Sequence, residues 1–252
     1  MFKTERHDAI LREVALKGRV TTTALAERFG VSEDSIRKDL QQLGAEGKLQ
    51  RVYGGAVSIE DEPHNRIVMS RVDDFKEQKL EIAKKALSLI EDGQTVFLDI
   101  SSTNIFLANL LATSNKQIIV VSNMLDAVKK VAAGGNIEAQ CPGGKVNLEL
   151  NGFVGAATVQ ALSNMSFDLA FLGTLELNVA NNSVATFDLE DGTVKQTVLK
   201  NTQRTYLVAD SHKFHTQGKY RYARLTDFTG VITDDDDEAD RKAIRKLGIE
   251  VY

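Results

Sequence analysis

"SIRKDLQQLGAEGKLQRVYGGAV", Ser35 to Val57, decides how the N-terminal part of the chain is read. Ile36, Leu40 and Leu43 fall at i, i+4 and i+7, so one stripe of a helix is apolar and can be buried. Ser35, Arg37, Lys38, Gln41 and Gln42 lie off that stripe and point outward, and the acids Glu33, Asp34 and Asp39 partly offset the two cations. After the helix, "GKLQRVYGG" alternates polar and apolar residues around Leu49 and Val52 and closes on Gly54-Gly55. That pattern is expected to form a β-wing.

Working upstream, Ser32 is a good N-cap, with Glu33 and Asp34 in the first turn where the helix dipole favours acids. Only Gly30-Val31 separates it from "TTTALAERFG", whose Leu25, Ala26 and Phe29 share one face. A further helix, "TERHDAILREVALKG", carries Ile10, Leu11, Val14 and Ala15 at helical spacing and ends at Gly18. Two short helices joined by a tight glycine-containing turn, the second with a polar outer face, make a helix-turn-helix. On an arbitrary helix Arg37 and Lys38 would simply face solvent. Here the turn before them and the wing after them point to duplex DNA. A recognition helix can place Ser35, Arg37, Lys38 and Gln41 on base edges and flanking phosphates, with Thr22 and Ser32 beside it. Arg51 and Tyr53 of the wing would reach sugar-phosphate or the minor groove, and Gly54 and Gly55 would allow close backbone approach.

Composition neither demands nor forbids this. The 252 residues carry a net charge of -4, with 42% hydrophobic and 26% charged residues, as in ordinary soluble proteins. The charge is unevenly spread: residues 1–57 hold 10 Lys+Arg against 8 Asp+Glu, whereas the remainder is acidic. No apolar run approaches the roughly 20 residues needed to span a bilayer, and "MFKTERHDAI" is too polar for a secretory signal. The single Cys141 cannot form an internal disulfide, so the expected compartment is the cytoplasm, with no membrane partner.

Beyond Val57 the pattern changes. Residues 58–74, with Pro63 and several charges, show no sustained periodicity and read as a linker. From residue 75 onward amphipathic helices alternate with apolar strand cores such as "TVFLD", "QIIVVS", "FDLAFLG", "TYLVAD" and "GVIT". Such alternation predicts βαβ units and a mainly parallel sheet covered on both faces. The expected organisation is therefore an N-terminal winged helix-turn-helix domain at 1–57, a linker at 58–74 and a mainly parallel α/β domain at 75–252.

Within that second domain, "LDISSTN" ends a strand in Asp99 and then sets Ser101, Ser102, Thr103 and Asn104 at a helix N-terminus. Hydroxyls and free backbone N–H groups at the carboxyl end of a parallel strand suit an anion, although N-capping alone would use some of them. Asn123 repeats the arrangement after the next strand. "PGGK" brings Gly143 and Gly144 as a close backbone turn with Lys145 as counter-charge, or is only a tight turn. Asp210 and Lys213 in "ADSHKF" follow another buried strand and could close the same crevice. The run Asp234–Asp237 reads as a solvated loop and helix start, and His7, His64, His212 and His215 have no zinc spacing. No metal, cofactor or catalytic triad is expected.

"VSEDSIRKDLQQLGAEGKLQRVYGGAV" closely resembles the DNA-binding region of the DeoR family of bacterial transcriptional regulators. "FLDISSTN", "VVSN", "PGGKV", "DLAFLG", "LVADSHKF" and "GVITD" follow in the order of that family's C-terminal sensor domain. The resemblance covers nearly the whole chain. It implies an isomerase-like sensor fold, related to ribose-5-phosphate isomerase, and a small-molecule effector that is a phosphorylated sugar or related metabolite. It also implies a double-stranded operator as partner, a repressor of carbohydrate metabolism and not an enzyme, with Lys195 as an effector contact by position. Dimers reading two half-sites make a homo-oligomer the expected state. Three segments depart from the family: the usual Asp-Ser-Gly-Thr-Thr loop is Asp99-Ile100-Ser101-Ser102-Thr103, the start of the Lys195 helix is altered, and "TLELNVANNSVA" replaces a Gly-Ile...Gly-Leu segment. The alternative class is a sugar-phosphate isomerase-like enzyme with a DNA-binding appendage, in which Asp99, Lys195 and Asp210 would do acid/base work.

Overall fold

Six elements form the first of two units into which the chain divides, Met1–Glu62 and Pro63–Tyr252. They are α1 (Lys3–Lys17), β1 (Arg19–Thr21), α2 (Thr22–Phe29), α3 (Glu33–Ala45), β2 (Gln50–Val52) and β3 (Gly55–Val57). The structure, a computed structural model, describes residues 3–17, 19–52, 54–57 and 67–252. Ile10 and Val14 of α1, Leu25 of α2, and Ile36, Leu40 and Leu43 of α3 close one small core with Val20, Leu49 and Ala56. The stripe in the opening stretch is thus the buried seam of the unit.

Two features of this unit differ from the sequence reading. First, β1 joins the wing: β3 lies between β1 and β2, antiparallel to both, with Thr21 opposite Gly55. Three residues are too few to show a period of two, so this strand left no sequence signal. A Cβ on Gly55 would lie 1.9 Å from the Val20 carbonyl oxygen, so glycine is what lets β1 and β3 approach. Second, Asp39 is not a solvated acid on the outer face. It is 1% exposed and accepts hydrogen bonds from Arg6 Nε at 2.6 Å and His7 Nε2 at 3.0 Å, tying α1 to α3. Adjacent to Leu40 and one turn beyond Ile36, it sits on the apolar stripe, and burial forces it to be paired.

The second unit is built on β4 (Thr95–Leu98), β5 (Ile119–Ser122), β6 (Glu138–Gln140), β9 (Phe167–Gly173), β12 (Thr202–Val208), β14 (Gly230–Ile232) and β15 (Glu250–Val251). They form one sheet in the order β15-β14-β12-β9-β4-β5-β6, and every neighbouring pair is parallel. Between the strands run α4 (Lys76–Ser88), α5 (Ser102–Ala112), α6 (Leu125–Gly134), α7 (Ala156–Ser163), α8 (Leu189–Lys200) and α9 (Glu238–Lys246). Successive strand residues feed opposite faces. Val96 and Leu98 pack with Ile82, Ala108 and Val131 of α4, α5 and α6, whereas Phe97 packs with Leu162, Val198 and Ile244 of α7, α8 and α9. This is the covered α/β sheet that the alternation predicts.

Smaller sheets decorate it. β7 (Lys145–Asn147) and β8 (Gly152–Val154) form a hairpin. β10 (Glu176–Asn178), β11 (Ser183–Thr186) and β13 (Tyr220–Ala223) form an antiparallel sheet, so "TLELNVANNSVA" is in large part a hairpin. Residues 67–74, read as linker, belong to this unit: Val68 is 1% exposed in the main core, and its N–H donates to the Glu149 carbonyl at 2.9 Å. The remaining linker residues, 58–66, and Tyr53 lie outside the described residues. Among the described residues no helix is long and apolar enough to cross a membrane.

The chain runs from β4 outward to β5 and β6, then returns to β9 on the other side of β4 and continues to β12, β14 and β15. Connections therefore diverge between β4 and β9, and the crevice at their carboxyl ends is where such sheets take ligands.

Candidate nucleic-acid interface and effector cleft

In the first unit, Gly30 closes α2 in the left-handed conformation and Ser32 caps α3, its hydroxyl accepting the Ser35 N–H at 3.3 Å. The outer face of α3 then presents Arg37, Lys38 and Gln41 to solvent. Arg37 is held along the helix, donating to Asp34 Oδ1 at 3.0 Å and Glu33 Oε2 at 2.9 Å. Lys38 makes no ion pair among the described residues. Arg51 on the wing makes none either; its stem packs over Gly44 near the end of α3. Ser35 shares a hydrogen bond with Ser32. Thr22 is turned inward at 5% exposure, and its N–H donates to the Gly54 carbonyl at 2.8 Å, so it fastens the wing to α2.

Asp39 fixes α3 from behind. Burial alone would raise its pKa, yet the hydrogen bonds from Arg6 and His7 hold it below the ordinary carboxylate value.

In the second unit, the carboxyl ends of β4, β9 and β12 meet in a narrow cleft, partly open to solvent. Asp99, a sequence candidate for the effector, does not line the cleft; it is 1% exposed, bonded to Gly173 and Lys195, which do. Its Oδ1 accepts from Asn104 Nδ2 at 2.7 Å, and its Oδ2 accepts from the Gly173 N–H at 2.9 Å and from Lys195 Nζ. Lys195 also faces Asp191 Oδ1 at 3.5 Å, one helical turn before it on α8. Asp191 in turn accepts from Thr186 Oγ1 at 2.9 Å. Burial pushes the Asp99 carboxyl up to about 7 against the pull of Lys195, and raises Asp191 likewise. Burial opposes charge on Lys195 too, but the two carboxylates together hold its pKa above the ordinary lysine value. Lys195 is therefore not a free counter-charge. It is the buried cation between two acids, and its ion pairs join α8 to the end of β4.

Gly173 at the end of β9 is required by this packing: a Cβ there would lie 2.5 Å from Ser101 Oγ. Ser101 caps α5 and accepts the Thr103 N–H at 3.2 Å, so the capping role is real. Ser101, Ser102 and Thr103 nevertheless all line the cleft, together with Lys195, Lys213, Thr174 and Asp191. The N-terminus of α5 thus opens into the space that a ligand would fill.

The other sequence candidates fall elsewhere. Asn104 is fully buried and spans Asp99 and the Phe171 carbonyl, bracing β4 against β9. Asn123 is 1% exposed and donates to the Phe153 carbonyl at 3.1 Å, fastening β8 to the end of β5. Gly143 and Gly144 form a turn packed on Thr158, and Lys145 is exposed, paired with Glu190 at 2.8 Å. None of these five lines the cleft. Thr174, Thr186 and Asp191 line the cleft without having been sequence candidates, and so does one arginine, Arg71, in the segment expected to be linker. Among the described residues no cluster of three or more His, Cys, Asp or Glu could hold a metal.

Comparison with known proteins bears on both units. Residues 6–62 match the model of the DeoR-like helix-turn-helix domain, and residues 74–235 match that of the DeoR C terminal sensor domain. The chain is 30% identical over 235 residues to the glycerol-3-phosphate regulon repressor of Haemophilus influenzae, covering 93% of this chain and 91% of that protein. It is also 30% identical over 236 residues to the lactose phosphotransferase system repressor of Lactococcus lactis subsp. lactis, covering 93% and 92%. Among solved structures, ribose 5-phosphate isomerase A of Methanocaldococcus jannaschii aligns at 18% identity and a TM-score of 0.40, over 55% of this chain and 54% of that one.

Proposed function

The chain belongs to the DeoR family of DNA-binding transcriptional regulators, and from that premise we propose that it represses an operon of carbohydrate metabolism and releases its operator when an anionic metabolite fills the cleft. It acts in the cytoplasm, where the operator lies. The relatives' names, a glycerol-3-phosphate regulon and a lactose phosphotransferase system, support a phosphorylated sugar or polyol as effector.

The observation that carries this reading is the cleft itself. Ser101, Ser102 and Thr103 open an α-helix toward it, Lys213 lines it, and it lies at the point where the strand connections diverge. Helix dipole, hydroxyl donors and cationic side chains converge on one anion. On the DNA side, α3 supplies Ser35, Arg37, Lys38 and Gln41, and the wing supplies Arg51 and Tyr53 with Gly54, while Gly55 serves the pairing of β1 with β3. Thr22 and Ser32 act by holding the helix and wing in place.

Effector binding must favour one of the two conformations, DNA-bound or free, since equal affinity shifts nothing. A thermal-shift screen of sugar phosphates tests the cleft, because a ligand of the folded state raises the melting temperature. No shift with any phosphorylated compound, together with a shift by neutral sugars, would reject the anion reading. The regulator is a homo-oligomer that reads paired half-sites, and sedimentation showing monomer alone, with and without operator, would reject that state.

A further inference from the structure

The segment Val68–Phe75 follows the DNA-binding unit in the chain and is docked on the sensor unit at several points. Val68 is buried in the core, and its N–H is bonded to Glu149. Lys79 of α4, 2% exposed, donates through Nζ to the carbonyls of both Arg71 and Asp74. Phe75 adopts a left-handed backbone, φ 54°, which is costly for a residue with a side chain, and its ring stacks on His212 at 5.4 Å. Between these anchors one charged side chain, Arg71, turns into the cleft.

Arg71 is poorly satisfied there. Its Nε is buried with no hydrogen-bond partner, and the side chain makes no ion pair among the described residues. Its guanidinium carbon lies 5.9 Å from the ring centroid of Phe187, another cleft residue. Burial lowers its pKa, with Asp210, Asp191 and Asp74 acting only through space. Lys213, on the same cleft, is likewise lowered by burial and has no side-chain partner among the described residues. An arginine Nε buried without an acceptor is costly, Arg71 as a whole is only half-buried, and a phosphate-type oxyanion is the ligand whose geometry its planar fork fits. Lys195 cannot take that role, since Asp99 and Asp191 already hold it.

We propose that Arg71 is an anion-binding residue of the effector cleft, so that a bound phosphate group ties the segment entering the sensor unit to the N-terminus of α5. The inference rests on the cleft being the effector site and adds the residue that carries occupancy to the chain leading from the DNA-binding unit. Ligand then adds to the stability of the docked form of residues 67–75, which without ligand rests on the Val68, Lys79 and Phe75 contacts alone. The bistable element is the segment, and the differential contact is the Arg71–anion hydrogen bonds.

Hydrogen exchange of the full chain, with inorganic phosphate and with ribose 5-phosphate as probes, tests this. In the parent, at least one probe slows exchange both at 101–104 and at 67–75. Arg71→Met weakens binding of that probe by roughly 10- to 100-fold, and at saturation it protects 101–104 but no longer 67–75. Arg71→Lys, which keeps charge without the fork, gives an intermediate loss and serves if the methionine variant does not fold. Parent-like affinity in Arg71→Met, or retained protection of 67–75, overturns the proposal while leaving the cleft as the site. Absence of protection at 101–104 in the parent with both probes overturns the cleft reading and the proposal together.

Discussion

Replacing Lys195 by Met removes the one cation between Asp99 and Asp191 while nearly keeping the side chain's length, so the change is electrostatic more than steric. Both carboxyls are buried, at 1% and 3% exposure, and would be left without a counter-charge. Breaking a buried pair in this way costs about 3–5 kcal/mol. The pH dependence separates that cause from simple cavity formation. A carboxyl whose folded pKa is raised keeps its proton while the unfolded chain, near 3.8, gives it up. Stability therefore falls as pH rises between the two values, by up to about 1.4 kcal/mol per unit for each group. In the parent, Asp99 imposes this between 3.8 and about 7. In Lys195→Met both folded carboxyls move further up, so the deficit widens with pH. Urea unfolding is read by tyrosine fluorescence, since the chain has no Trp and Tyr206, Tyr220, Tyr222 and Tyr252 all lie in the sensor unit. The variant should fall short of the parent by about 3–5 kcal/mol at pH 8 and by less than about 1 kcal/mol at pH 4.5. Adding Asp99→Asn should recover part of the loss at pH 8. An equal loss at both pH values would refute the buried-triad argument, because a cavity does not titrate.

Arg37→Ala should weaken operator binding by about 1–3 kcal/mol if the side chain reads a base; it must first leave Glu33 and Asp34, exposed pairs worth under about 1 kcal/mol each. Unchanged operator affinity removes Arg37 from the readout. Arg51→Ala should lower the slope of log affinity against log salt by about 1, as expected for one lost phosphate contact, and an identical slope argues against that contact. Asp39 contributes stability that is complete above its unfolded value of 3.8 and is lost as pH falls through its lower folded value. Asp39→Asn should therefore flatten the acid limb of the DNA-binding unit's melting profile, whereas a limb as steep as the parent's would show that other groups set it.

Periodicity made the two architectures legible. Ile36, Leu40 and Leu43 announce the buried face of α3, and the apolar runs ending in Asp99, Gly173 and Asp210 announce parallel strands whose carboxyl ends gather the site. What stayed hidden depended on partners distant in the chain. Lys195 lies 96 residues from Asp99, so its burial was invisible, although its spacing of one turn from Asp191 was a readable hint of pairing. Asn104 and Asn123 carry the right chemistry for a ligand, yet both are needed inside to satisfy strand-end carbonyls at Phe171 and Phe153. Gly55 looked available for DNA but is required by the Val20 carbonyl of a strand too short to recognise. Arg71 lies in surroundings without a period, so nothing in the pattern singles it out. A lone arginine among Val68, Met69 and Val72, all packed in or on the core, was the signal that could have been followed.

Operator affinity measured with and without ligand addresses the regulator most directly. A duplex selected from random sequence by the full chain is labelled, and fluorescence anisotropy is followed while a panel of sugar phosphates is added to the parent and to the Ser102→Ala/Lys213→Ala variant. One phosphorylated compound should lower the parent's operator affinity at least about tenfold, the span of an ordinary allosteric coupling. The variant should bind the operator as tightly as the parent without ligand and should lose the response. A variant that responds to the same compound at the same concentration as the parent would place the effector site outside this cleft.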